Sequence, residues 1–384
     1  MVRWANPLSG FPRWGGLCVI HNVRGETNKA MDLAEQLLDL ARDTHHSPHL
    51  LAAHSLMAHV CFFRGDFSGT RDHEEEAIRL YEPGQYGEHE YHSLFVHDQV
   101  AALGILSWAL CALGYPEQAL TRSREAIALA RELSHPFSEA NALLYAGSVH
   151  SQLREGKSCL ETADAVIAPA NEHGFPDFTA GGTYQRVDAL MELGEMESHE
   201  GIAVMRALID AARAMGSEMA SQSMLPHLAE RYGEVGQVEE GLALVAEALE
   251  VIGNTGVRVL ETEVNRVKGE LILARPSSDH EEAEACFHKA IDVARSQSAK
   301  FFEQRPCLPA SGRIGVVGMR PASYSHPFTA GSPRASTHGI SRRPRHFSTS
   351  WREPVQAWAD STSSGASTPR PSGISPMPWR SLST

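Results

Sequence analysis

Histidine is the residue type that most invites a chemical reading of this 384-residue sequence, which holds 20 of them. His45, His46, His49, His54 and His59 crowd one stretch, and His89 and His92 stand three apart in HEYH. Imidazole ligates metals and titrates near neutrality, so such a cluster could hold zinc or sense pH. The spacing selects neither. No HExxH occurs and no cysteine–histidine set has zinc-finger spacing, so solvated or helix-terminal histidines are expected, with no metal and no cofactor. The acidic runs HEEEA (73–77) and VEEGL (238–242) read as helix starts, where carboxylates favour the positive end of the helix dipole. TAGGTY (179–184) is too short for a phosphate loop and reads as a helix N-terminal turn. No P-loop and no GxSxG elbow occurs. The six cysteines (18, 61, 111, 159, 286, 307) contain no CxxC pair and read as small buried thiols of a reducing compartment. No catalytic constellation is visible, so a non-enzymatic chain is expected.

Composition narrows the class further. The net charge of −13 argues against a phosphate-backbone binder, which needs clustered Lys and Arg. No run of eighteen apolar residues occurs, and the N-terminus lacks the apolar core of a signal peptide; no membrane span is expected, and cytoplasmic residence follows as the default. The composition shifts near residue 301. Residues 1–300 carry a net charge of −20, whereas 301–384 hold 10 Arg, no Lys and three acids, with 11 of the 21 prolines. Three segments result: a truncated leader (1–10), a helical domain (11–300) and a disordered Pro/Ser/Arg-rich tail (301–384). A basic tail can serve nucleic acid, or nothing; the reading favoured here is a shifted frame. SYSHPFTAGSPRASTHGIS can be back-translated so that the shifted frame encodes LLAPVYGWFTEGFDTRDL, a helix start, a turn and a further helix start.

The elements that position these residues recur. Glycine-marked breaks at Gly25, Gly65, Gly114, Gly156, Gly194 and Gly236 lie 40, 49, 42, 38 and 42 residues apart, each separating two amphipathic stretches. The clearest unit spans roughly 102–137. Leu103, Leu106, Leu110 and Leu113 keep helical spacing, and Gly114-Tyr115-Pro116 stops the helix. Ala119, Ala126, Ile127, Ala130 and Leu133 then line one face of the next helix. The pattern predicts an all-α superhelical stack of about seven hairpins, none able to bury its apolar face alone. The seventh runs from Val257 to Ala274 and on through EEAEACFHKAIDVARSQ. Ending there without a cap predicts an uncovered apolar face that frays or self-associates.

These units resemble tetratricopeptide repeats. Trp14 precedes Gly25 by eleven residues, as the bulky residue of that pattern does, and Ala119/Ala126 and Ala283/Ala290 supply its alanines seven apart. Thr70, Glu161 and His199 depart from it, and the period is longer than usual. FPRWGGLCVIHNVRGE, AEQLLDLARD, GYPEQALTRSREAIALARELSHPFS and EEAEACFHKAIDVARSQSAK also look like the C-terminal repeat region of bacterial multidomain regulators. Those join a class III nucleotide cyclase, or another effector, to a P-loop ATPase module and a helical repeat. The resemblance covers roughly residues 11–300 and implies a repeat-only fragment acting as a protein-binding regulatory arm. The alternative it leaves is part of an active cyclase or ATPase regulator whose catalytic portion lies upstream. Nucleic-acid binding through the arginine-rich tail is a weaker alternative.

In tetratricopeptide arrays the first helix of each hairpin lines a concave groove. Six residues before each turn glycine, the resemblance implies a groove-facing column of His59, Trp108, His150, Asp188 and Glu230. It passes from aromatic and histidine to acidic. An extended protein or peptide partner, apolar near its N-terminus and basic at the other end, would suit it.

Overall fold

The computed structural model describes residues 11–44, 47–81, 96–214, 218–277 and 279–304. Among them are fifteen helices: α1 (Phe11–Val23), α2 (Thr27–Thr44), α3 (Ser47–Phe63), α4 (Phe67–Leu80), α5 (Asp98–Ala112), α6 (Pro116–Glu132), α7 (Pro136–Gln152), α8 (Gly156–His173), α9 (Pro176–Glu192), α10 (Ser198–Ala214), α11 (Glu218–Glu234), α12 (Val238–Thr255), α13 (Glu261–Ala274), α14 (His280–Ser296) and the short α15 (Lys300–Gln304). The first fourteen pair into seven hairpins, the all-α tetratricopeptide-like stack expected from the period. His45, His46, His89, His92 and the tail from 305 onward lie outside the described residues.

One hydrogen-bond motif makes the turns. Where α3 ends, Gly65 N–H donates to Phe62 C=O (3.0 Å) and Asp66 N–H to Cys61 C=O (2.8 Å), so two carbonyls left over by the helix are satisfied within the turn. The residue between them is left-handed, with φ of +72° at Gly25, +77° at Gly65, +91° at Gly114, +69° at Gly194 and +78° at Gly236. Gly156 is a correction. The left-handed residue of its hairpin is Arg154 (φ 58°), and Gly156 is the buried first residue of α8. The same 5→2 and 6→1 bonds hold that turn without a glycine, through Arg154 N–H to Ser151 and Glu155 N–H to His150.

The odd-numbered helices stack on one another (α1 on α3, α3 on α5, α5 on α7, α7 on α9, α11 on α13), and each even-numbered helix from α2 to α12 packs between two odd ones. α5 is flanked on all sides, so every residue from Val100 to Ala112 is buried, and its sequence is apolar all round. TAGGTY lies inside α9 rather than at its start. A Cβ added at Gly181 would sit 2.9 Å from Leu144, and one at Gly182 3.0 Å from Ile167, so these glycines let α7 and α8 approach closely.

The seventh hairpin folds back onto the second and third. α12 stops at a left-handed Gly256, and residues 256–260 run outside any helix, so α13 begins at Glu261 rather than Val257. Arg258 N–H (2.7 Å) and Val259 N–H (3.2 Å) both donate to Phe63 C=O, a carbonyl at the end of α3. Gln297 donates to Arg258 C=O (2.8 Å), and Thr27 Oγ1 donates to Thr255 C=O (2.7 Å). Val257, Val259, Ala294, Ala299 and Phe302 join Phe62, Phe67, Leu106, Trp108 and Val149 in one apolar cluster. The uncovered final hairpin expected from sequence is therefore not what the structure has. α15 crosses the compositional break at 301 and buries Phe302 against Trp108, ring centroids 6.2 Å apart.

The two turns at Gly65 and Gly236 separate backbone strain from closure. Both have nearly the same φ, but a Cβ at Gly236 meets nothing within 4 Å, whereas one at Gly65 collides with Gln297 and reaches 3.3 Å from Arg258 C=O. Gly236→Ala should cost about 1–2 kcal/mol for the left-handed residue alone. Gly65→Ala should cost about 1–3 kcal/mol more through overpacking. Urea unfolding of both variants checks the difference, and equal costs would contradict the closure.

Candidate functional site

The chemistry suggested by residue type resolves mainly into packing. His54 Nδ1 lies 2.9 Å from His73 Nδ1, two imidazoles sharing one N–H. Burial, then the neighbouring His73, pulls His54 down to about 4, and burial lowers His73 as well. HEEEA lies in the middle of α4 instead of at its start, and its Glu74 is fully buried. Burial first, then Asp98, pushes the Glu74 carboxyl well above the usual range, favouring its protonated form. Cys18, Cys61, Cys111, Cys159 and Cys286 are buried thiols outside any disulfide, and burial pushes those of Cys18, Cys61 and Cys159 up to about 12. Among the described residues, no three His, Cys, Asp or Glu side chains are placed to hold a metal ion, and no helix is long and apolar enough to cross a membrane.

The five column residues lie on successive odd-numbered helices, α3, α5, α7, α9 and α11. The structure leaves little of them open. Trp108 is buried edge-on to Phe62 (4.8 Å, 81°) and tilted against Phe67 (5.3 Å). His59 is half-buried with Nδ1 3.2 Å from Ser55 C=O, and burial pulls its imidazole down to about 4. His150 is half-buried, its Nδ1 2.7 Å from Glu155 Oε2. Asp188 is buried, and Glu230 is half-buried.

Asp188 and Glu230 belong to an ion-pair network along the odd-numbered helices. Arg231 donates to Asp188 Oδ1 through Nε (3.1 Å) and Nη2 (2.9 Å), and to Glu234 through Nη1 (2.8 Å). His227 Nδ1 lies 3.6 Å from Asp188 Oδ2. Glu230 accepts from Arg154 (3.0 Å) and Arg266 (3.1 Å), while Arg266 also engages Glu263 (3.0 Å) and Glu270 (2.7 Å). Burial would raise both column carboxyls. His227 and Arg231 outweigh it at Asp188 and hold it well below the usual range, and Arg266 and Arg154 bring Glu230 to about 2. Arg154, Arg231 and Arg266 each already bind carboxylate, so their fork donors act as cross-links between hairpins. A cavity of about 30 Å³ remains beside the network, lined in part by Ser151, His227, Arg266 and Phe302. The arginines carry no turn signal and were not among the sequence candidates. Their trace is periodicity: in ETEVNRVKGELILA, Glu263, Arg266 and Glu270 stand three and four apart where a solvated helix face would be read.

No protein-family model matches this chain. No curated protein matches it either. Solved structures resemble it at low identity. The apo form of RapI aligns with a TM-score of 0.49 and 11% identity over 76% of this chain and 99% of that one. A Rap protein complexed with competence and sporulation factor aligns at 0.45 and 11% over 78% and 96%. A STAND signal-transduction ATPase with a tetratricopeptide repeat sensor from Pyrococcus horikoshii aligns at 0.41 and 15% over 78% of this chain and 46% of that one. The fold assignment stands on the seven helix pairs themselves.

Glu230 and Glu74 should respond to pH with opposite signs. Glu230 lies at about 2 in the fold against an ordinary 4.5. Its stabilisation, about 3 kcal/mol, is present above pH 4.5 and lost as pH falls toward 2. Glu230→Gln should forfeit it at neutral pH and flatten the acid limb. Glu74 is raised, so its folded form is favoured below 4.5 and penalised as pH rises. Glu74→Gln should stabilise the protein at pH 7–8 by about 1–3 kcal/mol, with no gain at acid pH. Thermal unfolding from pH 3 to pH 8 measures both.

Proposed function

We propose that this chain is a protein-interaction scaffold without chemistry of its own, the regulatory repeat arm of a signalling regulator. The observation that carries the reading is how the stack treats its own residues 256–260. That non-helical segment gives two backbone N–H groups to Phe63 C=O and buries Val257 and Val259, alternate side chains, beside Trp108. An extended segment is thus held by main-chain hydrogen bonds and by alternate apolar side chains, the same two contributions by which a strand added at a sheet edge is bound and selected. The partner is an extended segment with alternating apolar residues and a basic end directed toward Asp188 and Glu230. His59, Trp108, His150, Asp188 and Glu230 form the wall it meets once the seventh hairpin moves aside. The stretches that resemble the repeat region of cyclase and ATPase regulators support the regulatory setting.

Selection of displayed peptides on the full chain tests this. Selected peptides should show the apolar–x–apolar pattern and should bind the Phe302→Asp variant, with its loosened seventh hairpin, about tenfold more tightly. Glu230→Gln should weaken those with a basic end, measured at a temperature where circular dichroism shows the variant still folded. Peptides indifferent to both substitutions would end the groove reading. The alternative, membership of an active nucleotide cyclase or P-loop ATPase, predicts GxxxxGK followed by Ser or Thr in frame ahead of Met1 in the gene.

A further inference from the structure

Three of the five exposed large apolar side chains among the described residues lie on one face of α1: Trp14 (36% exposed), Leu17 (43%) and Ile20 (41%). They are spaced by three, so they form one stripe. Forty residues on, one repeat later, Leu17 and Ile20 correspond to Met57 and Val60 of α3, which are buried in a cluster with Leu37, Leu38 and Ala41 of α2. α3 lies between α2 and α4, whereas α1 packs on α2 and α3 and touches α11. The stripe is thus the face that an α2-type helix takes in the next repeat. A Cβ added at Gly16, beside the stripe, would meet nothing within 4 Å, so a helix can approach closely there.

Charge selects the occupant. α1 contains no Asp or Glu, and the exposed Arg13 and Arg24 bracket the stripe. The nearest carboxylate in sequence, Glu26, pairs with His21 and Lys29. Two copies meeting through α1 would oppose these arginines with no carboxylate on either helix, which costs affinity. A head-to-tail pair fares no better: the exposed positions of α14 include Glu281, Glu282, Glu284, His288, Lys289 and Asp292, with no large apolar side chain. Arg13 and Arg24, exposed at the two ends of the stripe, suit a helix whose apolar face is flanked by carboxylates, and α2, which covers α3 through Leu37, Leu38 and Ala41, is a helix of that kind, with Asp32, Glu35, Asp39 and Asp43 on its exposed side. We propose that the Trp14–Leu17–Ile20 face of α1 docks an acidic amphipathic helix of a partner protein, laid on it as α2 lies on α3. This surface is distinct from the inner column.

The probe is a helix-stapled, fluorescein-labelled peptide with the α2 sequence, TNKAMDLAEQLLDLARDT, titrated onto the full chain. Anisotropy should show binding that weakens about tenfold in Leu17→Glu, an exposed position that leaves the fold intact, and that falls with added salt. The same peptide with its Asp and Glu changed to Lys should not bind. The proposal is overturned by absent binding, by binding indifferent to Leu17→Glu, or by equal binding of the lysine peptide. Two further results would overturn it by naming another occupant. A dimer seen by light scattering and dissociated by Leu17→Glu would make it a second copy. A tenfold gain on deleting residues 1–10 would make it the leader.

Discussion

The carbonyl of Phe63 is the point on which the arrangement turns. The bonds that close the α3–α4 turn satisfy Cys61 and Phe62, and the next carbonyl has no partner in its own hairpin. Arg258 and Val259 supply two N–H groups from nearly two hundred residues away. Neither segment could be buried without the other, because each would bring unpaired backbone into an apolar setting. Once they are joined, Val257, Val259 and Phe302 can enter the core around Trp108, each worth about 1.5–3 kcal/mol of apolar burial. An open stack depends only on nearest-neighbour interfaces. This one adds a long-range interface, so its second and seventh hairpins should lose structure together.

The ion-pair network contributes arrangement more than net stability. Burying Arg231 and Asp188, or Arg266 and Glu263, costs desolvation that their attraction roughly repays. Removing one member is another matter, since it strands the opposite charge. Arg154 lies just past the end of α7, Asp188 belongs to α9, Glu230 and Arg231 to α11, and Arg266 to α13, so pairing ties together four successive odd-numbered helices. A slip of α11 against α9 or α13 would part the buried Arg231 and Arg266 from Asp188 and Glu230. Arg154 shows what this can override. It occupies a left-handed position that glycine holds in five sibling turns, and it contributes the guanidinium that reaches Glu230.

Local physics made the hairpins readable, and its absence hid the closure. Helix periodicity, the left-handed glycines and Pro116 at a helix start are signals within a few residues, and each turned up as a helix end or a helix start in the structure. Gly156 misled because the turn bonds do not require glycine, only a residue held at positive φ. HEEEA misled because acidic residues at a helix start and one buried glutamate in mid-helix look alike until the neighbouring helix is placed. Counting back from the turn glycines put the column on five successive odd-numbered helices. What stands opposite it, residues 256–260 and Phe302, comes from far along the chain and leaves no mark on local spacing.

The two ends of the stack follow from the same logic with opposite outcomes. At the C-terminal end, α14 turns a charged face outward and α15 tucks Phe302 inward, so apolar surface has been spent on closure. At the N-terminal end, α1 keeps an apolar stripe whose counterpart in α3, Met57 and Val60, is buried in a cluster with α2. Single exposed apolar residues are ordinary on protein surfaces, but three in register on one helix are not. Residues 256–260 and Phe302 cover the face around Trp108, so a partner that leaves them in place needs another face. The α1 stripe is where the repeat pattern leaves one unpartnered.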